Sequence, residues 1–282
     1  MGHLTLGLFL AIVAAGFLWV ALSFHFFRLK SLPPLKMSLR YPLVGVVGYL
    51  LLFFIIAPIS VRLMGNVLQE LAHHRPALLM TLLQTVSLCW VIGYLLILWL
   101  IQDKETRLAL WIHPQRKHLV CVLEDFGLGI LTWVLAFPLV GAVSQIIEFL
   151  THVLTGFVPV DQLAVRYLKL AKESPFLLAI ALFAILIAAP VIEELVFRGF
   201  LYTYLKKRLS LLPALVLSAA IFALFHFSPQ QGLSNFSLLV SLFTLALFLG
   251  FLYERQRSLF APIALHMTFN SISVIRILWF NQ

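Results

Sequence analysis

The chain has 282 residues, of which 62% are hydrophobic and only 11% charged, against about 25% charged in soluble domains. Mean hydropathy is +1.03. These values exclude a soluble globular domain and define an all-α, polytopic membrane protein. Two cysteines, Cys89 and Cys121, make no disulfide framework. The net charge of +9 belongs to cytoplasmic loops rather than to a nucleic-acid partner, because in a membrane protein basic residues collect on the inner side.

Run length and charge predict eight spans, at about residues 4–27, 41–64, 78–101, 126–149, 176–200, 211–228, 235–253 and 260–280. The first run is as long as a full span and lacks a basic leader, so it reads as a span and not as a cleaved signal. Thirteen Lys and Arg fall in the odd-numbered loops, among them Lys30, Lys36, Lys117 and Lys206–Arg208, and four in the even-numbered ones. The positive-inside bias then predicts cytoplasmic odd loops and both termini outside. Leu163–Leu170 and the stretch around Leu108–Ile112 carry apolar residues among charges, a pattern that suits short interfacial helices. Glu148, near the outer end of span four, reads as an acid reaching the headgroups. The chain divides by content. Residues 1–125 form a three-span N-terminal extension with few polar groups, and residues 126–282 a five-span core that holds nearly all deeply placed ionisable groups.

The core turns on P-V-I-E-E-L-V-F-R-G-F, Pro190 to Phe200, which follows an uncharged run from Phe176 to Ala189. A charge at the centre of a membrane helix costs about 2.5–3.5 kcal/mol on insertion scales. Glu194 and Arg198 are four apart with the acid leading, the favourable order for a pair on one helix face. Glu193 is rotated by about 100° from Glu194 and has no local counter-ion, which suits a proton-transfer role. Span six adds F-x-x-x-H at Phe222 and His226, and span eight H-x-x-x-N at His266 and Asn270. Hydrocarbon excludes such groups unless protein or water surrounds them. A carboxylate, two imidazoles and an amide can activate water and stabilise an oxyanion. Two His and a Glu can also ligate zinc. A proton-coupled transporter lined by these groups, or a noncatalytic membrane binding or immunity protein, uses the same residue types.

E-E-x-x-x-R, F-x-x-x-H and H-x-x-x-N in this order resemble the CPBP family, which comprises the type II CAAX prenyl endopeptidases and the bacteriocin-processing, or Abi, proteins. The resemblance spans about residues 125–280 and is carried by the trio, not by one motif. It implies an intramembrane endopeptidase with Glu193 as catalytic base, His226 beside it on the water, His266 and Asn270 at the oxyanion, and Glu194 with Arg198 holding the site. The family is usually called metalloprotease; if zinc is required, Glu193, His226 and His266 are the ligand set. The implied partners are a peptide or protein substrate, lipidated in the CAAX case, and membrane lipid, with no nucleic acid. A compact eight-span chain suits a bacterial plasma membrane.

Overall fold

The computed structural model describes residues 2–29, 38–116 and 118–280. Lys30, Lys36 and Lys117 of the loop charge count lie outside them. The described elements are helical: α1 Gly2–Ser23, α2 Arg40–Leu63, α3 Gly65–His74, α4 Pro76–Ile101, α5 Lys104–Trp111, α6 Leu119–Thr155, α7 Leu163–Ala171, α8 Pro175–Lys206, α9 Leu211–Phe225, α10 Ser234–Gln256 and α11 Phe260–Phe280. Among the described residues, seven helices are long and apolar enough to cross a membrane. The eighth expected span, α9, has 15 residues and stops where His226 leaves helical geometry, three residues before Pro229.

Three expected span ends move outward, two of them because a charge is paired inside the protein and one because the helix runs on to a glycine cap. Span four begins at Leu119 rather than 126, because Asp125 does not mark a boundary. Its side chain is fully buried and takes a bidentate pair of bonds from Arg116 at 3.0 and 3.2 Å, so the charge is neutralised inside the protein. Span four closes at Gly156, whose left-handed backbone (φ 68°) ends the helix at residue 155. Span five runs on to Lys206, which pairs with Glu254 of α10. Glu254 also accepts from the Tyr202 hydroxyl at 2.9 Å and pairs with Arg257 at 3.0 Å. Glu148 is corrected as well. It does not simply reach for headgroups; it accepts from Ser144 and from Ser237 of α10, both at 3.2 Å, and faces His3 at 3.5 Å.

Both interfacial stretches are helices. In α7, Tyr167, Leu168 and Ala171 face inward against Val274 and Ala181, so the apolar stripe is used for packing. In α5, Asp103 caps the first turn and accepts from the Thr106 side chain and backbone N–H, which holds its carboxyl below the usual carboxylate range.

The loops sort by parity. Loop three meets loop seven through an isolated antiparallel bridge between Ile112 and Ser258, with His113 N–H donating to the Arg257 carbonyl and Leu259 N–H to Trp111. Loop five joins them through Lys206 and Glu254. At the other end Val160 of loop four donates to Ser234 at the start of α10. The expected cytoplasmic loops three, five and seven thus share one end of the bundle. A cysteine placed at the exposed Lys207 is expected to resist impermeant thiol reagent in sealed cells and to label once the membrane is opened. Strong labelling in intact cells would reverse the orientation.

The core helices cross closely. Gly129 of α6 abuts the Ala261 carbonyl and Ala264 of α11, and a Cβ there would collide with both. The N-terminal spans are packed directly on this core. α1 lies along α6, and α2 lies against the second half of α8.

Candidate active site

Helix α8 carries the two carboxylates and is not a regular α-helix. Two π-helical segments, Ala184–Ala188 and Leu195–Tyr202, flank the α-helical turn that holds Glu193 and Glu194. Such segments recur at functional sites. Glu194 and Arg198 are both sealed from solvent. Arg198 Nη1 donates to Glu194 Oε1 at 3.0 Å, Nη2 donates to the Ala246 carbonyl of α10 at 3.3 Å, and the guanidinium lies 4.5 Å from the Phe222 ring centroid. The same Glu194 oxygen meets His266 Nδ1 at 2.9 Å. Glu194 therefore joins α8 to α11, and Arg198 joins α8 to α10 and α9. The expected pair is present, embedded in a larger network.

Glu193 points elsewhere, as the helical offset requires. It retains about 15% side-chain exposure, and its Oε2 faces His226 Nε2 at 3.8 Å and His266 Nε2 at 3.9 Å. These separations are too long for direct hydrogen bonds. Each imidazole is oriented through its other nitrogen. His226 Nδ1 meets the Phe222 carbonyl at 2.9 Å and His266 Nδ1 meets Glu194. A carbonyl and a carboxylate only accept, so both Nδ1 atoms carry the proton. In the neutral rings the two Nε2 atoms then present lone pairs toward Glu193 Oε2. Three acceptors then face one another with no hydrogen-bond donor of the protein between them.

Asn270 has a structural partner with a traceable origin. In the π-helical segment Ala189 N–H bonds back to the Ala184 carbonyl. The next carbonyl, Ile185, would look to residue 190 for its donor, and residue 190 is proline, which has none. Asn270 Nδ2 donates to the Ile185 carbonyl at 2.9 Å. A buried carbonyl left without a partner costs about 1–3 kcal/mol, so one amide hydrogen of Asn270 is committed to mending α8.

The structure thus brings Glu193, Glu194, Arg198, His226 and His266 together, with Asn270 bonded to the same helix as the carboxylates, 85 residues away in sequence. Sequence reasoning missed the Ala246 carbonyl, which has no side-chain signal. It also missed the Glu254 hub, whose three partners are distant or adjacent basic and phenolic residues with no recognisable spacing.

Glu193, His226 and His266 are the side chains that would hold a zinc ion. Ligand atoms of a tetrahedral zinc site, at ~2.0–2.1 Å from the metal, stand about 3.3 Å apart. The 3.8 and 3.9 Å separations at Glu193 exceed that. Among the described residues no three His, Cys, Asp or Glu side chains are gathered as a metal site. Gathering Glu193, His226 and His266 on an ion would require these separations to close by about 0.5 Å, and no step below is routed through one.

Fold and site together define a polytopic, all-α membrane protein with a carboxylate–imidazole centre at the junction of four helices. Residues 175–272, about a third of the chain, match the model described as Type II CAAX prenyl endopeptidase Rce1-like, which supports a CAAX-type intramembrane protease. The matched segment contains Glu193, Glu194, Arg198, Phe222, His226, His266 and Asn270. No curated protein and no solved structure matches the chain.

Proposed function

We propose that the protein is an intramembrane endopeptidase in which Glu193 activates water against a peptide bond. The observation that carries this reading is the convergence of Glu193 Oε2 with two imidazole lone pairs, 3.8 and 3.9 Å away. Water held there donates one hydrogen to Glu193 and one to an imidazole. As its oxygen attacks the carbonyl carbon, Glu193 takes the proton. The proton then passes to the amide nitrogen as the C–N bond breaks, leaving a carboxylic acid and an amine. Glu194 bonded at Nδ1 holds His266 in the required tautomer and stabilises it if it charges. Arg198 fixes Glu194. The substrate is a peptide or protein tail reached within the membrane, and the family description favours a prenylated CAAX-type tail. A bacterial plasma membrane suits so compact a chain.

The test is cleavage of a prenylated CAAX-type peptide by purified protein, with and without exhaustive chelation. Cleavage that survives chelation supports glutamate-activated water. Loss of activity on chelation, with stoichiometric zinc in the untreated protein, would replace this mechanism by a metal-dependent one. Proton-coupled solute uptake into vesicles, with no peptide cleavage, would replace the protease reading altogether.

A further inference from the structure

Several arginines have defined partners, and these are of two kinds. Arg116, Arg198 and Arg257 pair with the acids Asp125, Glu194 and Glu254. Arg107, Arg208 and Arg255 lie instead over aromatic rings. Their guanidinium carbons stand 4.4 Å from the Trp99 centroid, 4.6 Å from Tyr204 and 4.8 Å from Phe26.

These three pairs share one level of the bundle. Trp99, Tyr204 and Arg255 lie in the last turns of α4, α8 and α10, and Phe26 in the turn that follows α1. Those helices run into loops three, five, seven and one, so every pair stands where a span leaves the hydrocarbon at the odd-loop end. The backbone places the α1 member. His25 takes a left-handed φ of 53°, and Phe26 N–H reaches back to the Ala21 carbonyl at 2.8 Å. That turn lays Phe26 and Phe27 against Phe251 of α10, with centroids 5.5 and 5.3 Å away, one helical turn before Arg255.

The charges of the three arginines are not met by the protein. Among the described residues none of them forms an ion pair. The acids nearest in sequence are engaged or turned away. Asp103 caps α5, and Glu254 serves Lys206, Tyr202 and Arg257. Glu105 is two residues from Arg107 on one helix, a spacing at which side chains do not face each other. Arg107 Nε, and Arg255 Nε and Nη1, are also sealed from water without an acceptor. A cation so placed attracts an anion strongly, because neither water nor protein answers its charge. The ring beneath each guanidinium fixes its plane, so little freedom is lost when it bonds phosphate oxygens.

We propose that Arg107, Arg208 and Arg255 form a collar that binds the phosphates of anionic phospholipid at the odd-loop end of the bundle. Lipid is the occupant because each pair sits at headgroup level, where aromatic and basic residues meet the interface, and Trp99 is 48% exposed there. The collar spans α1 and α4 of the N-terminal extension and α8 and α10 of the core, so bound lipid ties the two parts together. This inference does not depend on the protease reading.

The experiment titrates the full chain in detergent with short-chain phosphatidylglycerol, short-chain phosphatidylcholine and inorganic phosphate. Melting temperature and lipid retained in native mass spectrometry are the readouts. Phosphatidylglycerol is expected to raise Tm and to remain bound, and the other two to do neither at equal concentration. Changing all three residues to Gln is expected to weaken phosphatidylglycerol about a hundredfold, from about fivefold for each interfacial charge. Changing all three to Lys keeps the charge, loses the planar stack and is expected to cost about tenfold. Wild-type affinity in the triple Lys variant would show diffuse charge attraction. An equal response to phosphatidylcholine would remove the preference for anionic lipid, and an equal response to inorganic phosphate would show an anion site without lipid. Each of these results would overturn the inference. If the triple variants do not fold, Tyr204→Leu and Arg208→Lys carry the test on the exposed end of α8. Each is expected to weaken phosphatidylglycerol about two- to fivefold, and unchanged affinity in both would overturn the collar.

Discussion

Glu193→Gln is expected to give a folded protein that binds substrate and does not hydrolyse it. The amide keeps the shape of the side chain, so the packing around Ile192 and Val196 is undisturbed. What changes is chemistry at one atom. A carboxylate oxygen takes a proton from water; an amide offers a weakly basic oxygen or an N–H, and the N–H would compete with water for the lone pairs of His226 and His266. Loss of a general base typically costs about a hundred- to ten-thousandfold in rate, and here the same group also orders the nucleophile, which places the expected loss at the upper end. Mass spectrometry of the peptide products, beside a binding isotherm for the intact peptide, separates catalysis from recognition. A Gln variant with substantial turnover would remove Glu193 from the mechanism.

Arg198→Ala is expected to fail at an earlier stage, in folding. Arg198 and Glu194 are both sealed from solvent, and removing one member of such a pair typically costs about 3–5 kcal/mol because the other charge is stranded. The loss extends beyond the pair. The Ala246 carbonyl loses its donor and the Phe222 ring its cation. Arg198→Lys is not expected to rescue, because a single ammonium cannot donate to Glu194 and Ala246 in the planar fork geometry while stacking on Phe222. Yield of monodisperse protein and its melting temperature are the readouts. A variant of normal stability would show that Glu194 is held by His266 alone.

Much of the architecture was legible because hydrocarbon imposes a simple rule on composition: long apolar runs cross and charges stop them. The rule misjudged residues whose charges are cancelled by partners remote in sequence. Asp125 and Lys206 looked like boundaries, yet Arg116 and Glu254 neutralise them. No local pattern reports such a pairing. The site residues were legible for the converse reason, since Glu193, His226 and His266 are groups that lipid excludes. Their first-order geometry followed too, because Glu194 and Arg198 differ by four positions and Glu193 by five. Second-order geometry did not. That Asn270 is bonded to Ile185 depends on Pro190 lying five residues beyond a carbonyl in a π-helical turn, and π-helical segments have no composition of their own.

The shortness of α9 bears on how water reaches a reaction centre surrounded by lipid. Fifteen residues rise only about 22 Å, against a hydrocarbon thickness near 30 Å. The connection after His226 therefore sits below the level that a full span would reach. Asn235 makes that depth tolerable for irregular backbone: its amide bonds the Ser228 N–H and carbonyl and the Gly232 carbonyl. Hydrophobic mismatch of this size draws the headgroups inward around the short helix, at a cost of fractions of a kcal/mol per ångström. A mismatch of this size would thin the lipid beside His226 on that flank. The membrane itself would then form part of the route of the proposed hydrolytic water, and a thicker, more ordered bilayer would lengthen that route without changing a single residue.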